Sequence, residues 1–576
     1  MVGVAIVGVI TGAAAATIFG AIPWAQDQST QTQLSTVASS EAAYINISNA
    51  GYGSYQELAG QKILQDDIPG LCVSKNGAGW VAVMKSPTGN LFSMRDGLKT
   101  PTPATSADFD SCATTKLNIG TAEAANFQPK IMRFTIDTSY KFQGTTGTVC
   151  TAYKLPARGT VNAKVDWGDG SAIQTVTTQN QAHTYSTVGR FNVVIDGTFT
   201  SFGGGNITGS APLNGAGCAT EVTHWGRSTG TTDATGAYSN FQGSSGVVQP
   251  PPTVTNYSGL FASSRNFNQD ISKWDTSQVT KMPNIFYAAT AFNQPVGSWS
   301  TAQVTDISYA FIGNTVFDQD LSGWDTSKVV SMNNTFVTAV NFTGRGLSRW
   351  DTSQVTNMTA MFQGASKFNG DLSTWNTGRV GLMDSMFSNA PVFNSYISGW
   401  NTANVTSMGA MFSGAYAFDQ PIGSWDTTKL TNVGSMFYGS PVFNQDLSHW
   451  KTGAITMFGQ MFTNAAKFNQ PVNNWDTSSA TNMLNMFYGA KAFDQPVSNW
   501  NTSQVTTMSG MFQGALKFNQ PLNNWDTSKV TTMSFMFALA SSFNQDLSTW
   551  NVSKVTVYNS FTSSGPLSPA YLPHFV

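Results

Sequence analysis

The sequence predicts a multidomain protein: a long N-terminal α-helix with a small α+β head, a β-sandwich, and then a β-solenoid of twelve 25-residue coils. Three observations lead to this fold class. A 25-residue pattern recurs through residues 267–561, a charge-free apolar run occupies residues 1–24, and a β-branched segment lies between them. Self-similarity at such a period indicates a stacked array, in which each unit buries its apolar side chains against the next.

Each coil of the repeat starts with phenylalanine and carries tryptophan shortly afterwards. The first copy, from Phe267, reads FNQDISKWDTSQVTKMPNIFYAATA, and one extra residue lies between Phe342 and Trp350. The alternating Thr-Ser-x-Val-Thr-x-Met sequence predicts a short strand, and Met-Phe-x-Gly-Ala predicts a tight helical turn. At a strand spacing of about 4.8 Å per coil, twelve coils form a rod on the order of 60 Å long.

The recurring Phe, Trp, Met and second Phe are predicted to form continuous columns in the core rather than a cofactor site. The asparagine after the first Phe is predicted to form a ladder that satisfies backbone polar groups. This ladder comprises Asn268, Asn293, Asn369, Asn394, Asn444, Asn469, Asn519 and Asn544.

The Asp or Asn that follows each Trp is predicted to cap a local turn. The row comprises Asp275, Asp325, Asp351, Asn376, Asn401, Asp426, Asp476, Asn501, Asp526 and Asn551. A calcium ladder is the alternative hypothesis. However, Ser300 and Lys451 interrupt the row and no second acidic ligand recurs beside it. We therefore predict no metal site.

The pattern FNQxLSxWDTSxVTxMxxMF, over residues 255–561, closely resembles the repeats of bacterial BspA-like surface proteins, relatives of the leucine-rich repeats. The resemblance implies an extracellular, adhesive, leucine-rich-repeat-like solenoid, and it does not indicate what is bound.

One variable position, between Thr and Met, is predicted to face solvent and to form a polar, mostly uncharged adhesive face. The alternative is an ordinary solvated surface. The candidate residues are Lys281, Asp306, Ser331, Asn357, Ser407, Asn432, Asn482, Thr507 and Thr532.

Composition restricts the partners and the compartment. Charged residues make up only 10% of the chain, with 29 Lys and Arg against 31 Asp and Glu. This excludes the concentrated basic face that nucleic acid requires. The four cysteines precede the repeats, and consecutive pairing (Cys72 with Cys112, Cys150 with Cys218) fits two disulfides in an oxidising compartment. Three connectivities are possible from sequence alone.

The N-terminal segment, residues 1–50, is predicted to be one helix. Residues 1–24 are long enough to cross a bilayer, and an amphipathic stripe continues to Ile45. A secretory signal or simple anchor carries basic residues before its apolar run, yet the first Lys or Arg is Lys62.

The sequence MVGVAIVGVI resembles the apolar part of type IV pilins, although no Glu precedes Glu41 as the pilin motif requires. The resemblance implies that the helix packs with copies of itself in a filament core. An ordinary transmembrane anchor is the alternative. The candidate filament-core residues are Val2, Val4, Ile6, Val9, Ile10, Ile18, Phe19, Ile22 and Pro23.

Residues 51–126 are predicted to form the head. Ser54 to Glu57 has capping-box spacing, and strands are expected near 71–75, 79–85 and 90–95. A long helix followed by a small meander and a disulfide-bounded loop resembles the globular head of a type IV pilin.

Residues 127–219 are predicted to form a β-sandwich. Their sequences VDWGDG, at 165–170, and His183-Thr-Tyr resemble the PKD-like sandwich, a spacer in surface proteins. An Asp/His site is conceivable there, but we interpret Asp166 and Asp169 as turn residues and His183 as structural. Residues 220–266 are expected to be a cap and loop that lead into the solenoid, and residues 562–576 a C-terminal cap.

No enzyme is predicted, because the four histidines lack metal spacing and no nucleophile motif occurs. No catalytic residue or cofactor is assigned. We predict a structural subunit of an extracellular, cell-surface, type IV pilus-like filament, inserted in the inner membrane before assembly. It would contact identical subunits through the N-terminal helix, and a host, cell-surface or environmental protein or glycan through the solenoid. A membrane-anchored monomeric adhesin and a minor tip pilin are the alternatives.

Overall fold

The computed structural model describes residues 71–76, 79–85, 91–95, 102–103, 131–139, 152–203, 218–225, 233–241, 243 and 246–575. The predicted helix of residues 1–50, with all the candidate filament-core residues, lies outside these ranges. Within them, no helix has the length and apolar character needed to cross a bilayer.

The predicted fold class is wrong. The described residues form eleven β-strands and two 3-10 helices, Leu347–Arg349 and Pro569–Tyr571, and no α-helix. The predicted long α-helix and the helical part of the head therefore have no counterpart there. Within the coils, neither the predicted short strand nor the predicted helical turn forms, because left-handed backbone conformations recur in each coil.

A four-stranded antiparallel meander comes first in the chain. Its strands are β1 (Leu71–Asn76), β2 (Gly79–Lys85), β3 (Leu91–Arg95) and β4 (Thr102–Pro103), and they pair in that order. The first three match the predicted strands to within one residue, whereas β4 was not predicted. The Asn-Gly and Pro-Thr-Gly sequences between them are typical turn sequences.

A β-sandwich follows. Its larger sheet has the order β11-β5-β10-β7-β8, and β6 and β9 pair separately. The strands are β5 (Ile131–Asp137), β6 (Ala152–Lys154), β7 (Ala157–Asp166), β8 (Gln174–Val176), β9 (Ala182–Thr184), β10 (Arg190–Phe202) and β11 (Ala219–Trp225). Phe134, Tyr153 and Trp167 pack together between the sheets. Strand β11 is thus an edge strand of the sandwich. Residues 220–266, which include most of this strand, were instead expected from sequence to form a cap and loop of the solenoid.

Cys218, directly before β11, is fully buried and disulfide-bonded. The side chain of its partner lies outside the described residues. The pairing of Cys150 with Cys218, and that of Cys72 with Cys112, remain predictions.

The solenoid consists of stacked coils, each contributing one residue to a column of isolated parallel β-bridges. The column begins at Ser201 in β10, continues through Asp233 and Asn256, and ends at Val557. The rungs at Asp233 and Asn256 lie in the segment expected to be a cap and loop, so the solenoid extends further towards the sandwich than the repeat sequence indicates.

Alternate backbone N–H groups connect each coil to the next. From Met282, Asn284, Phe286 and Ala288, the N–H groups donate to carbonyl oxygens one coil further on, at 2.6–3.2 Å. The intervening Tyr287 N–H instead donates to the Asn284 carbonyl, which closes a turn within the coil.

Two positions in every coil adopt left-handed backbone conformations, such as Asn284 (φ 57°) and Ala288 (φ 53°) in the first. A single left-handed residue interrupts both an α-helix and an extended strand. This recurring conformation is the physical reason that neither predicted element forms.

The predicted aromatic columns are confirmed. Trp400 and Trp425 stack at 6.3 Å with an interplanar angle of 3°, and Phe412 and Phe437 at 5.8 Å. The Trp425 indole Nε1 also donates to the Ile397 carbonyl of the preceding coil at 3.2 Å. The same bond recurs in every coil from Trp299 to Trp550, so each indole N–H is satisfied by the backbone.

The predicted asparagine ladder is also confirmed. Asn394 Oδ1 accepts the backbone N–H of Asp419 and the Nε2 group of Gln420 in the next coil, both at 3.0 Å. A second polar column was not predicted: Thr402 Oγ1, which is buried, donates to the Asp426 carbonyl of the following coil at 2.9 Å. These bonds satisfy polar groups that turning the chain would otherwise leave unpaired.

Both ends of the solenoid core are covered. At the first end, the Phe202 N–H of β10 donates to the Asp233 carbonyl at 3.1 Å, and one continuous hydrophobic core joins sandwich and solenoid. At the other end, Leu567, Leu572 and Phe575 pack against the last coil.

We expect whole coils to be removable. Deleting residues 393–417 joins Val392 to Phe418 and restores every column, because each coil contacts only its neighbours. The shortened protein should unfold cooperatively in urea, with a midpoint close to that of the parent. Deleting residues 393–405, about half a coil, destroys the register of the columns and should yield insoluble or unfolded protein. Equal behaviour of the two deletions would contradict the stacked-coil account.

Candidate binding face

The nine candidate adhesive residues lie in one row, because all of them belong to the β-bridge column. Within the repeats, three further residues complete this row, which we call the bridge face: Leu382, Met457 and Val557. These were missed because the candidates were sought between Thr and Met, whereas Gly381 precedes Leu382 and Phe458 follows Met457. Their position, 25 residues from the bridge residue of the preceding coil, was already readable from the period.

The bridge face is accessible to solvent, but unevenly. Lys281 is exposed, whereas the other eight candidates are half-buried. Leu382 and Met457 have exposed fractions of 39% and 43%, so apolar surface alternates with polar groups along the row.

Several polar side chains of the bridge face also cap the turn that follows them. Asp306 Oδ1 accepts the N–H of Ser308 at 2.8 Å, and Asn432 Oδ1 accepts that of Gly434 at 2.9 Å. Asn357 and Asn482 make the same bond. One oxygen of each is therefore committed to the fold.

Other polar groups of the row bind neighbouring side chains: Asn432 Nδ2 donates to Ser407 Oγ at 3.1 Å, and Thr532 Oγ1 donates to Thr507 Oγ1 at 2.9 Å. This network also fits the alternative of a solvated structural surface.

A neighbouring row carries cations that bind neutral amides of the preceding coil. Lys328 Nζ donates to Gln303 Oε1, and Lys429 Nζ to Asn404 Oδ1, both at 2.6 Å. Arg379 and Lys529 form the equivalent pairs. This row differs from the bridge face in charge and serves below as its control surface.

The predicted turn caps after tryptophan are confirmed at all ten positions: each Asp or Asn accepts the backbone N–H two residues later. At Asp426, hydrogen bonds from the Thr428 hydroxyl and N–H lower the pKa of the carboxyl group. In the described part of the chain, no three His, Cys, Asp or Glu side chains are grouped closely enough to hold a metal ion.

The sandwich brings Asp169 and His183 together. Their Oδ2 and Nε2 atoms lie 2.8 Å apart, with side chains 11% and 14% exposed. The His183 ring stacks on Trp167 at 4.5 Å and meets Tyr185 edge-on. Asp169 Oδ1 accepts the Ser171 N–H at 3.0 Å, and Asp166 Oδ1 likewise accepts that of Gly168. Both Asp169 oxygens are thus engaged in holding a turn against β9, which supports the structural interpretation.

This pair predicts a defined pH dependence of stability. Burial alone would raise the pKa of Asp169, but hydrogen bonds from Ser171 and His183 outweigh it and lower the pKa from 3.8 to about 2. Because the pKa is lower in the folded state, the ionised carboxylate stabilises the fold at pH values above the unfolded-state pKa of 3.8. This stabilisation is lost as the pH falls through the folded-state pKa of about 2.

Asp169→Asn should therefore unfold at lower urea concentration than the parent near neutral pH, and the difference should shrink towards pH 2. The matched control is Asp137→Asn, whose carboxylate oxygen binds only exposed Ser139 groups. A difference between parent and Asp169→Asn that does not change with pH would contradict the role of the ionised carboxylate.

Comparison with known proteins identifies the family of the repeat region. A family model described as "Mycoplasma protein of unknown function, DUF285" matches residues 250–349, 306–420, 392–491, 420–517 and 460–566. Together these matches span residues 250–566, more than half of the 576-residue chain. No curated protein and no solved structure matches the chain. The protein therefore belongs to the DUF285 family, whose repeats form its solenoid.

Proposed function

We propose that this protein is an extracellular adhesive subunit, whose solenoid is displayed on a pilus-like filament and binds a protein or glycan through the bridge face. The observation that carries the proposal is the single row formed by the bridge residues. Its side chains vary from coil to coil, whereas the columns behind it repeat. An unchanging frame with one variable row is an arrangement suited to recognition along an extended surface.

The frame is stiff enough to act as a spacer. Five backbone hydrogen bonds connect neighbouring coils, such as those between the coils starting at Phe393 and Phe418. With fourteen rungs from Asp233 to Val557, at about 4.8 Å each, the rod extends about 60 Å. Such a rod holds its binding groups in fixed register, which lowers the entropic cost of binding.

The chemistry of the bridge face favours a largely neutral ligand. Amide and hydroxyl groups provide donors and acceptors, and Leu382 and Met457 provide apolar contacts. Protein loops and neutral glycans present the complementary mixture. The resemblance to BspA-like surface proteins and the disulfide at Cys218 support display in an oxidising, extracellular location.

The filament part of the proposal is supported by sequence. Residues 1–24 carry no charge, and each large apolar side chain buried between subunits contributes on the order of 1–3 kcal/mol. A membrane-anchored monomer and a minor tip subunit remain the alternatives. Electron microscopy of sheared fibres, together with subunit stoichiometry, distinguishes the three.

Charge placed on the bridge face should abolish attachment. We choose Ser331→Lys, Thr507→Lys and Thr532→Lys, since Lys281 occupies the same coil position and shows that the frame accommodates lysine. Binding of the triple variant to immobilised matrix proteins and to a glycan array should fall at least tenfold, about 1.4 kcal/mol, without a change in thermal midpoint or fibre yield.

The control variant adds the same three charges to the neighbouring row: Gln278→Lys, Ala454→Lys and Ser479→Lys. Lys328 and Lys429 already occupy that row. Attachment that survives in the bridge-face variant, or that is lost equally in the control, would refute the bridge face as the binding surface.

A further inference from the structure

The last coil presents a row of backbone donors. In the coil before it, the N–H groups of Met533, Phe535, Phe537 and Leu539 donate to residues 557–563 at 2.8–2.9 Å. The equivalent N–H groups of the last coil belong to Tyr558, Ser560, Thr562 and Ser564, and no described residue accepts them. We call residues 557–564 the donor edge.

The segment after the last coil covers the other half of that coil. The Leu547 N–H donates to the Tyr571 carbonyl at 2.9 Å, and the Ser568 N–H to Asn544 Oδ1 at 3.0 Å. Phe575 stacks on the Tyr558 ring at 4.3 Å and covers the core. The core is therefore protected, while Tyr558, Ser560 and Ser564 of the donor edge beside it are exposed to solvent.

Two apolar side chains next to the donor edge are not explained by folding. Phe535 and Leu539 occupy the two left-handed positions of their coil, both with φ 59°, and are 44% and 51% exposed. Two coils earlier the same positions hold Asn485 and Gly489, which suit this conformation. Strained, exposed apolar residues gain little from burial within their own chain, and the pair of them beside open backbone donors motivates a binding hypothesis.

We propose that the donor edge binds a segment of a partner polypeptide that adopts the coil's own backbone conformation, with left-handed residues at the two matching positions, and so adds one more rung to the solenoid. Its carbonyl oxygens accept the four N–H groups of Tyr558, Ser560, Thr562 and Ser564. Its side chains pack on Phe535, Leu539 and Val557, the last of which is 42% exposed. As in other modes of recognition at an exposed backbone edge, main-chain bonds supply affinity and the neighbouring side chains supply specificity.

The polarity of the edge selects this occupant. A second copy cannot pair edge to edge, because its own donor edge also lacks acceptors. It cannot pair end to end along the whole coil either, because β10 occupies the acceptor end at two carbonyls: Phe202 binds the Asp233 carbonyl, and the Gly203 backbone lies against the Thr235 carbonyl. An anion would satisfy the N–H groups but would leave Phe535 and Leu539 exposed.

The test uses the full chain and a labelled 12-residue peptide, Lys-Thr-Val-Thr-Gly-Thr-Val-Thr-Gly-Thr-Val-Lys, as the probe, with Gly at two positions four residues apart that match the left-handed positions of a coil. The probe should slow amide hydrogen exchange at residues 558–564 and leave the other coils unchanged. The double variant Phe535→Asn, Leu539→Gly should bind the probe about tenfold more weakly, because it loses apolar contact. Its thermal midpoint should rise, because Asn and Gly adopt the left-handed conformation readily.

The matched control is Tyr309→Asn. Tyr309 is an exposed aromatic residue (φ 61°) at the same coil position as Phe535 but far from the donor edge, and its replacement by Asn relieves the same backbone strain. It should raise thermal stability and leave probe affinity unchanged. Absence of protection at 558–564, unchanged probe affinity in the double variant, or equal protection by inorganic phosphate would each overturn the proposal. None of these outcomes bears on attachment through the bridge face.

Discussion

Alternate backbone N–H groups of every coil donate to carbonyl oxygens of the next coil, and the rest of the solenoid depends on this alignment. It requires each coil to return to the same angular position after one period. Phe and Trp side chains then necessarily fall into columns, and each Trp indole reaches a carbonyl oxygen of the coil before it. Backbone pairing and ring stacking therefore reinforce one another, since a slip in one would break the other.

The same alignment separates the repeating core from the variable bridge face. Core positions are fixed by contacts with both neighbours, but the side chain at the bridge position points away from the core, so its identity can change at little cost. Four of the five backbone bonds between neighbouring coils also share one direction, with their donors facing the last coil, whereas the fifth, such as Thr431 N–H to the Thr406 carbonyl, runs the other way. The two ends of the rod consequently differ chemically: β10 covers the acceptor end, and donors remain at the other.

Much of this organisation was predictable from sequence, and the failures have physical causes. Period, core columns, asparagine ladder and turn caps follow from residue types that recur at fixed spacing. The conformation of the coil backbone was not predictable, because the left-handed positions hold residues as different as Asn284, Ala288 and Tyr309, which share no backbone preference. The first rungs were not predicted because Asp233 lies in sequence without the repeat's Phe and Trp, and the coil of Asn256 carries only the second Phe, Phe261. At the bridge face, sequence located the row but could not show that Asp306 also caps a turn.

The loss of stability caused by removing one indole from the middle of the tryptophan column tests the central claim most directly. Trp425 is 3% exposed, stacks on Trp400 and donates to Ile397, whereas Trp274 at the start of the column is only partly buried. Urea unfolding should show that Trp425→Ala lowers the free energy of unfolding by about 3–5 kcal/mol. Trp274→Ala should cost clearly less. Equal and small losses for the two variants would contradict the claim that ring stacking and axial hydrogen bonds jointly hold the coils in register.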